Sequence, residues 1–416
     1  MGCYVINGGK QLKGNIDIQG SKNSAVAVII ASLAVCGTVE ISNLPDISDV
    51  HNCLQILTHL GCSYWFKHPN TVIINTENAR LGYIPTALLC EMRASCYLLG
   101  AELARFGRCE HTCSGGCNFG SRPMNFHFDA LKALGASEES RNGKSVYSAR
   151  GGLKGNEIVL PMASVGATVN AIICASRAKG KTVIKNAARE PHVCDLACFL
   201  NACGANVTNY GTDTVTVYGN KHLHGASFRL RGDMIEAGTY MLAPLLCGGR
   251  ISMTGAPSED LSCFSELITE IGASVSVSGG KLTVSGGELR AFDVTTAPYP
   301  AFPTDLHPQI AVLATACKGV SSVTETVFSG RFAYLTPLKK MGLKCSLDGN
   351  RLTILGNTEL KSASVSATDL RGGASLILAA LSARGESVIS NAEYINRGYS
   401  RMVEKLSGVG AEIGYK

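Results

Sequence analysis

The 416-residue sequence has one tryptophan and only 6% aromatic residues, which leaves little material for the stacked platforms that bind single-stranded nucleic acid. No run of lysine or arginine resembles a nucleic-acid arm, and a net charge of +6 over this length is modest. Anionic small molecules fit this balance better than anionic polymers. The most apolar run, residues 25–37, covers 13 positions and stops at Gly37, well short of the roughly 20 needed to span a bilayer. Neither a membrane segment nor a secretory leader is expected. Met1-Gly2 lacks the Ser or Thr that myristoylation wants at position 6, where Ile6 stands. No Walker-type loop, dinucleotide fingerprint or nucleophile elbow is found.

Cysteine, by contrast, is abundant, with 17 residues. A disulfide framework belongs to short secreted chains, so in a chain of this length the thiols are expected to be reduced, in cytosol. Cys109, His111, Cys113 and Cys117 bring metal to mind, but the C-x3-C-x3-C spacing is not that of a zinc knuckle, and no second cluster completes it. No metal and no organic cofactor is expected.

A hydrophobic–Gly–small signature runs through the chain: Leu60-Gly61-Cys62, Leu134-Gly135-Ala136, Cys203-Gly204-Ala205, Ile271-Gly272-Ala273, Met341-Gly342-Leu343 and Val409-Gly410-Ala411. The glycines recur every 68–74 residues, which points to six copies of one supersecondary unit. In the first copy, residues 14–19 alternate like a strand and Ser21 caps an apolar helix that stops at Gly37. Residues 38–43 read as a second strand, Ser48 caps a second helix, and 63–67 with 72–76 form a hairpin, giving βαβαββ. The first helices of the copies are apolar all round, as in residues 25–36, 165–175, 240–247, 310–317 and 374–381, so they should be buried. The second helices, as in 190–203 and 397–407, carry polar faces. Six units of about 70 residues then divide into two α/β domains of three, with helices central and sheets outside. A cleft between domains is the default place for a ligand.

Basic residues recur in what read as first turns of helices: Lys22, Arg93, Arg122, Arg371 and Arg397. Helix N-termini bind phosphate and carboxylate, and arginine grips both through paired hydrogen bonds. The glycine-rich stretch Cys113-Ser-Gly-Gly-Cys117-Asn-Phe-Gly-Ser-Arg122-Pro123 places a thiol near a cation, which can lower its pKa. Asp305 follows three prolines in Pro298-Tyr-Pro-Ala-Phe-Pro303-Thr304-Asp305. It reads either as an N-cap or as a general base.

The motifs Gly20-Ser-Lys22-Asn23, Glu91-Met-Arg93-Ala-Ser, Gly115-Gly-Cys117 and Arg122-Pro123 resemble those of the enolpyruvyl transferases. Ala188-Arg-Glu190-Pro191, Pro303-Thr304-Asp305, Arg331-Phe332, Asp369-Leu-Arg371-Gly-Gly and Arg397-Gly398-Tyr399 extend the resemblance over essentially the whole chain. It implies two inside-out α/β domains of (βαβαββ)3 type, with residues 22–230 in one and 1–21 plus 231–416 in the other, and the active site in the cleft between them. It also implies transfer of the enolpyruvyl group of phosphoenolpyruvate to the 3′-hydroxyl of UDP-N-acetylglucosamine with release of phosphate, an early step of peptidoglycan synthesis in the cytoplasm. Cys117 would donate the proton to C3 and be the residue attacked by epoxides, and Asp305 would take the hydroxyl proton. Lys22, Arg122 and Arg397 would hold the phosphate and carboxylate of phosphoenolpyruvate, supported by Arg93, Arg331 and Arg371.

The nucleotide sugar would be lined by Asn23, Arg122 to Phe126 (Pro123, Met124 and Asn125 included), Met162, Ala163, Ser164, Val165 and Val327. Three positions depart from the family pattern: Met162 stands where a lysine is usual, Asn125 replaces an aspartate and Tyr299 a histidine. Met162 removes a contact expected to the diphosphate. The sister reaction on shikimate 3-phosphate and a catalytically weak regulatory paralogue are the alternative readings. The Gly-Gly-Cys117 loop argues against the first, and retention of Lys22, Cys117, Asp305 and Arg397 against the second.

Overall fold

The computed structural model describes residues 2–111, 115, 124–141 and 144–416. Cys113, Cys117, Arg122 and Pro123 lie outside the described residues. The chain separates into two compact units, one made of the described residues of 1–19 and 232–416, the other of those of 20–231.

All six glycines of the repeat signature have positive φ, from 81° at Gly61 to 115° at Gly272. Each follows a helix at the point where the backbone must turn left-handed, a conformation that costs a side chain more than it costs glycine. An antiparallel hairpin follows in five copies, as in Ser63–His68 with Thr71–Asn75 and Ser274–Ser278 with Lys281–Ser285. In the sixth, Glu412–Tyr415 pairs instead with Cys3–Gly8, so the start of the chain completes the last repeat. A second exchange links the first and fourth copies. Leu12–Asp17 lies parallel to Gly249–Thr254, while Ser227–Arg229 lies parallel to Thr38–Ser42. The second copy forms a three-stranded sheet among the described residues, and the other five sheets have four strands.

Within the unit that ends the chain, the helices Met234–Cys247, His307–Leu313 and Leu370–Ser382 pack pairwise on one another. Every residue of His307–Leu313 is buried, and sheets take the outer positions with one face to solvent, as in the in-out alternation of Cys3–Gly8. In the other unit the helix Leu98–Phe106 packs against both Lys22–Ala31 and Val165–Ala175. Each fully buried Ile or Leu of these helices contributes about 1.5–3 kcal/mol, which is why they carry so few polar side chains. No helix among the described residues is long and apolar enough to cross a membrane.

Several local expectations are corrected. The first strand of the repeat is Leu12–Asp17 rather than 14–19, because its partner strand sets its limits. Ser48 is the first residue of its helix and Ile47 the cap, with no side-chain capping bond. The segment 397–407 is not one helix: only Met402–Ser407 within it is helical, entered through a left-handed Arg401 at φ 53°, and a separate short helix, Glu393–Asn396, ends just before it. Arg397 is therefore the C-terminal cap of a short helix and not a first-turn residue. Cys90 is disulfide-bonded, contrary to the expectation of reduced thiols, and the other fourteen described cysteines are free. The main chain here runs close to Gly115, whose N–H donates to the carbonyl of Leu89 at 3.3 Å.

Candidate active site

In the unit that ends the chain, three of the residues singled out from the sequence, Asp305, Arg331 and Arg371, come together. Pro303 precedes a single 3-10 turn, Thr304–Leu306, that presents Asp305. The Asp305 carboxylate does not cap the helix that follows. Its Oδ1 accepts from Arg331 Nη2 at 2.8 Å, and its Oδ2 accepts from Arg371 Nε at 3.0 Å and Nη2 at 2.9 Å. Both guanidiniums are almost fully buried, at 2% and 4% exposure, whereas the Asp305 side chain keeps 29%. The carboxylate is the open member of the triad. Burial alone would push its pKa up, but Arg371 and then Arg331 outweigh that and hold Asp305 well below the usual carboxylate range. Burial works equally against the charge on Arg371, and Asp305 more than offsets it.

Each arginine is held in turn. Arg371 is the second residue of the helix Leu370–Ser382, whose cap Asp369 accepts the N–H groups of Arg371 and Gly372 at 3.0 and 2.9 Å. Its guanidinium lies over the Tyr399 ring at 5.7 Å, with Nη1 3.4 Å from the Tyr399 hydroxyl. Arg331 Nη1 donates to Thr304 Oγ1 at 2.9 Å, and that hydroxyl donates to Glu325 Oε2 at 2.8 Å. Glu325 Oε1 also accepts the backbone N–H of Val327 at 2.7 Å and of Phe328 at 3.0 Å, which fixes the turn carrying Val327. His307 Nδ1 lies 3.3 Å from Glu325 Oε2. Burial raises the Glu325 pKa, but these hydrogen bonds reverse the effect and bring it to about 2, while burial keeps the His307 pKa low. Glu325 and His307 were not singled out from the sequence, and Tyr399 entered only as part of the Arg397-Gly398-Tyr399 motif, with no role assigned. Their only local signal is polarity within apolar runs.

In the other unit, Lys22 opens the helix Lys22–Ala31, where Ser21 Oγ accepts the Ser24 N–H at 3.3 Å as expected. Lys22 Nζ lies 2.9 Å from Asp49 Oδ2, a nearly buried carboxylate near the start of the next helix, and Asn23 is half-buried beside it. Arg93 opens a 3-10 turn, Arg93–Tyr97, and its Nη2 lies 3.1 Å from Met124 Sδ. Asn125 is exposed at the first position of the helix Asn125–Ala133, with Phe126 half-buried next to it. Ser164 Oγ caps the helix Val165–Ala175 by accepting the Ala167 N–H at 3.4 Å, behind half-buried Ala163 and a 57% exposed Met162.

A buried amide that the sequence reading missed ties these three segments together. Asn170 Nδ2 donates to the Cys96 carbonyl at 2.9 Å and meets His127 Nδ1 at 2.7 Å, while its Oδ1 accepts the Gly100 N–H at 2.7 Å. With both amide hydrogens committed, His127 Nδ1 is the acceptor, so that ring is neutral with its proton on Nε2.

A family model described as EPSP synthase (3-phosphoshikimate 1-carboxyvinyltransferase) matches residues 6–406. The chain belongs to this enolpyruvyl transferase family. Curated relatives from Brucella ovis and Brucella abortus strain S19, both named UDP-N-acetylglucosamine 1-carboxyvinyltransferase, are 40% identical over 419 residues, covering 98% of this chain and 98% of each relative. Among solved structures, the enolpyruvyl transferase NikO from Streptomyces tendae superposes with a TM-score of 0.90 at 25% identity, over 100% of this chain and 99% of that one. EPSP synthase from Acinetobacter baumannii shares the fold, with a TM-score of 0.78 at 19% identity over the full length of both chains. The architecture is accordingly the two-domain inside-out α/β fold of the family.

Proposed function

We propose that the chain transfers the enolpyruvyl group of phosphoenolpyruvate to the 3′-hydroxyl of UDP-N-acetylglucosamine and releases phosphate, in the cytoplasm, as an early step of peptidoglycan synthesis. The observation that carries this reading is the half-open Asp305 carboxylate between two buried guanidiniums, in a chain 40% identical end to end to enzymes of that name.

Lys22, Arg122 and Arg397 are assigned to the phosphate and carboxylate of phosphoenolpyruvate, and Arg93, Arg331 and Arg371 to supporting that charge. Protonation of C3 by Cys117 makes C2 cationic, the sugar hydroxyl adds to it, and loss of a C3 proton with phosphate leaves the enol ether. The double clamp bears on how Asp305 works. A carboxylate held so far below its usual pKa is a weak base, so it is charged throughout the working pH range. It orients the hydroxyl from the start and takes the proton late, when the new C–O bond has made that hydroxyl strongly acidic. Dependence of phosphate release on the acceptor, UDP-N-acetylglucosamine against shikimate 3-phosphate, tests the reading.

Two further outcomes are expected. Cys117→Ala should abolish covalent labelling by an epoxide that mimics phosphoenolpyruvate, as read by mass spectrometry of the intact chain. Burial raises the thiol pKa at Cys53, Cys62, Cys109, Cys174, Cys203, Cys247 and Cys317, which makes these residues poor nucleophiles. Labelling that persisted at exposed Cys36 would remove the assignment. Met162→Lys, placing a cation on an exposed position of the nucleotide-sugar segment, should tighten UDP-N-acetylglucosamine binding about three- to tenfold by calorimetry. Unchanged affinity would take Met162 off the diphosphate.

A further inference from the structure

Gln19 ends the first segment of the unit that carries Arg397, and its side chain is buried. Nε2 donates to the Gly398 carbonyl at 2.8 Å, and Oε1 accepts the Ser400 N–H at 2.7 Å. The partners fix which end of the amide is which. Gln19 thus grips the main chain on both sides of Tyr399, as a neighbouring strand would.

Its own backbone is held just as firmly. The Gln19 N–H donates to Glu236 Oε2 at 2.8 Å, and its carbonyl accepts the Asp233 N–H at 2.9 Å. Glu236 is fully buried, and its other oxygen receives Lys405 Nζ at 2.7 Å from the helix Met402–Ser407. Gly398 packs closely on Leu370, whose side chain a Cβ there would meet at 2.8 Å. The held residue, Tyr399, sets its hydroxyl 2.9 Å from Thr239 Oγ1 and 3.4 Å from Arg371 Nη1. A continuous path of contacts therefore leads from Gln19 through Tyr399 to Arg371 and Asp305, and Arg397 is the residue just before Gly398.

We propose that Gln19 is a positioning residue for phosphoenolpyruvate: its amide clamp sets Arg397 and the Tyr399–Arg371–Asp305 path. The inference rests on the enolpyruvyl-transfer reading. Gln19→Met keeps the volume and removes both hydrogen bonds, and Gln19→Glu keeps the acceptor for Ser400 while setting a carboxylate against the Gly398 carbonyl.

Steady-state kinetics of the full-length variants, with phosphate release as the signal, should show kcat/KM for phosphoenolpyruvate reduced about tenfold or more. KM for UDP-N-acetylglucosamine should stay within about twofold, and hydrogen exchange at the Ser400 amide should accelerate. A purely structural role would lower thermal stability and move both KM values together. That pattern, or an unchanged kcat/KM for phosphoenolpyruvate in either variant, overturns the proposal. A wild-type chain that released no phosphate with UDP-N-acetylglucosamine or shikimate 3-phosphate would instead remove the reading beneath it, and the positioning role with it.

Discussion

Replacing Asp305 by alanine is expected to lower kcat by a factor on the order of 10² or more while UDP-N-acetylglucosamine still binds. The carboxylate stays partly open while both of its arginine partners are buried, and each of its oxygens is bonded to a different arginine. Removing it takes away the acceptor for the hydroxyl proton and a negative charge that stabilises a cationic C2. Alanine also leaves two buried guanidiniums without their shared carboxylate, so part of any loss can come from local rearrangement. Asp305→Asn, which keeps the volume, separates the two effects: it should lose kcat to a similar degree with less loss of thermal stability. Calorimetry of the nucleotide sugar and stopped kinetics together make the check. An unchanged kcat in both variants would reduce Asp305 to a structural partner of the arginines.

The second large effect concerns Arg371. Arg371→Met removes a nearly buried cation that donates twice to Asp305 and lies over Tyr399. Breaking a buried pair costs about 3–5 kcal/mol, against roughly 0–1 kcal/mol for a surface pair. The 29% exposure of Asp305 places the loss near the lower end, about 3 kcal/mol, or on the order of 5–10 °C in Tm for a unit of this size. A change under about 2 °C would mean that the pair behaves like a surface one. The substitution also carries a pH signature. With one cation gone, the Asp305 pKa rises toward the ordinary carboxylate range, so protonation begins to remove activity at a higher pH. The acid limb of the pH–rate profile should move up in Arg371→Met relative to wild type. A limb that stayed in place would mean that Arg331 alone controls the carboxylate.

How far these features could be read from the sequence depended on whether their cause was local. Gly61, Gly135, Gly204, Gly272, Gly342 and Gly410 were legible because a left-handed turn after each second helix demands glycine whatever the helix packs against. The all-round burial of helices such as Lys22–Ala31 was legible from the same kind of evidence, an unbroken apolar run.

Pairing across the chain was not legible. Leu12–Asp17 joins Gly249–Thr254, and Cys3–Gly8 closes the sixth sheet, yet nothing in either strand names a partner more than 200 residues away. The helix expected from Arg397 failed for a local reason that pattern reading passed over, a left-handed Arg401 in mid-run.

The candidate site divided in the same way. Asp305 and Arg371 were picked out by local pattern and Arg331 by motif resemblance, but the clamp they form depends on residues 26 and 66 positions from Asp305. Periodicity cannot foresee such a meeting. Gln19, Asn170 and Glu325 escaped notice because each acts by satisfying backbone groups of distant segments, and an isolated amide or carboxylate in a sequence looks the same whether it does this or faces water.

The most direct test of the central claim is phosphate release from phosphoenolpyruvate by the full-length chain with UDP-N-acetylglucosamine as acceptor, run beside Cys117→Ser. The account predicts saturable, acceptor-dependent release that the substitution impairs, with no release when shikimate 3-phosphate is offered. Release with shikimate 3-phosphate, or none with UDP-N-acetylglucosamine while the nucleotide sugar still binds, would contradict it.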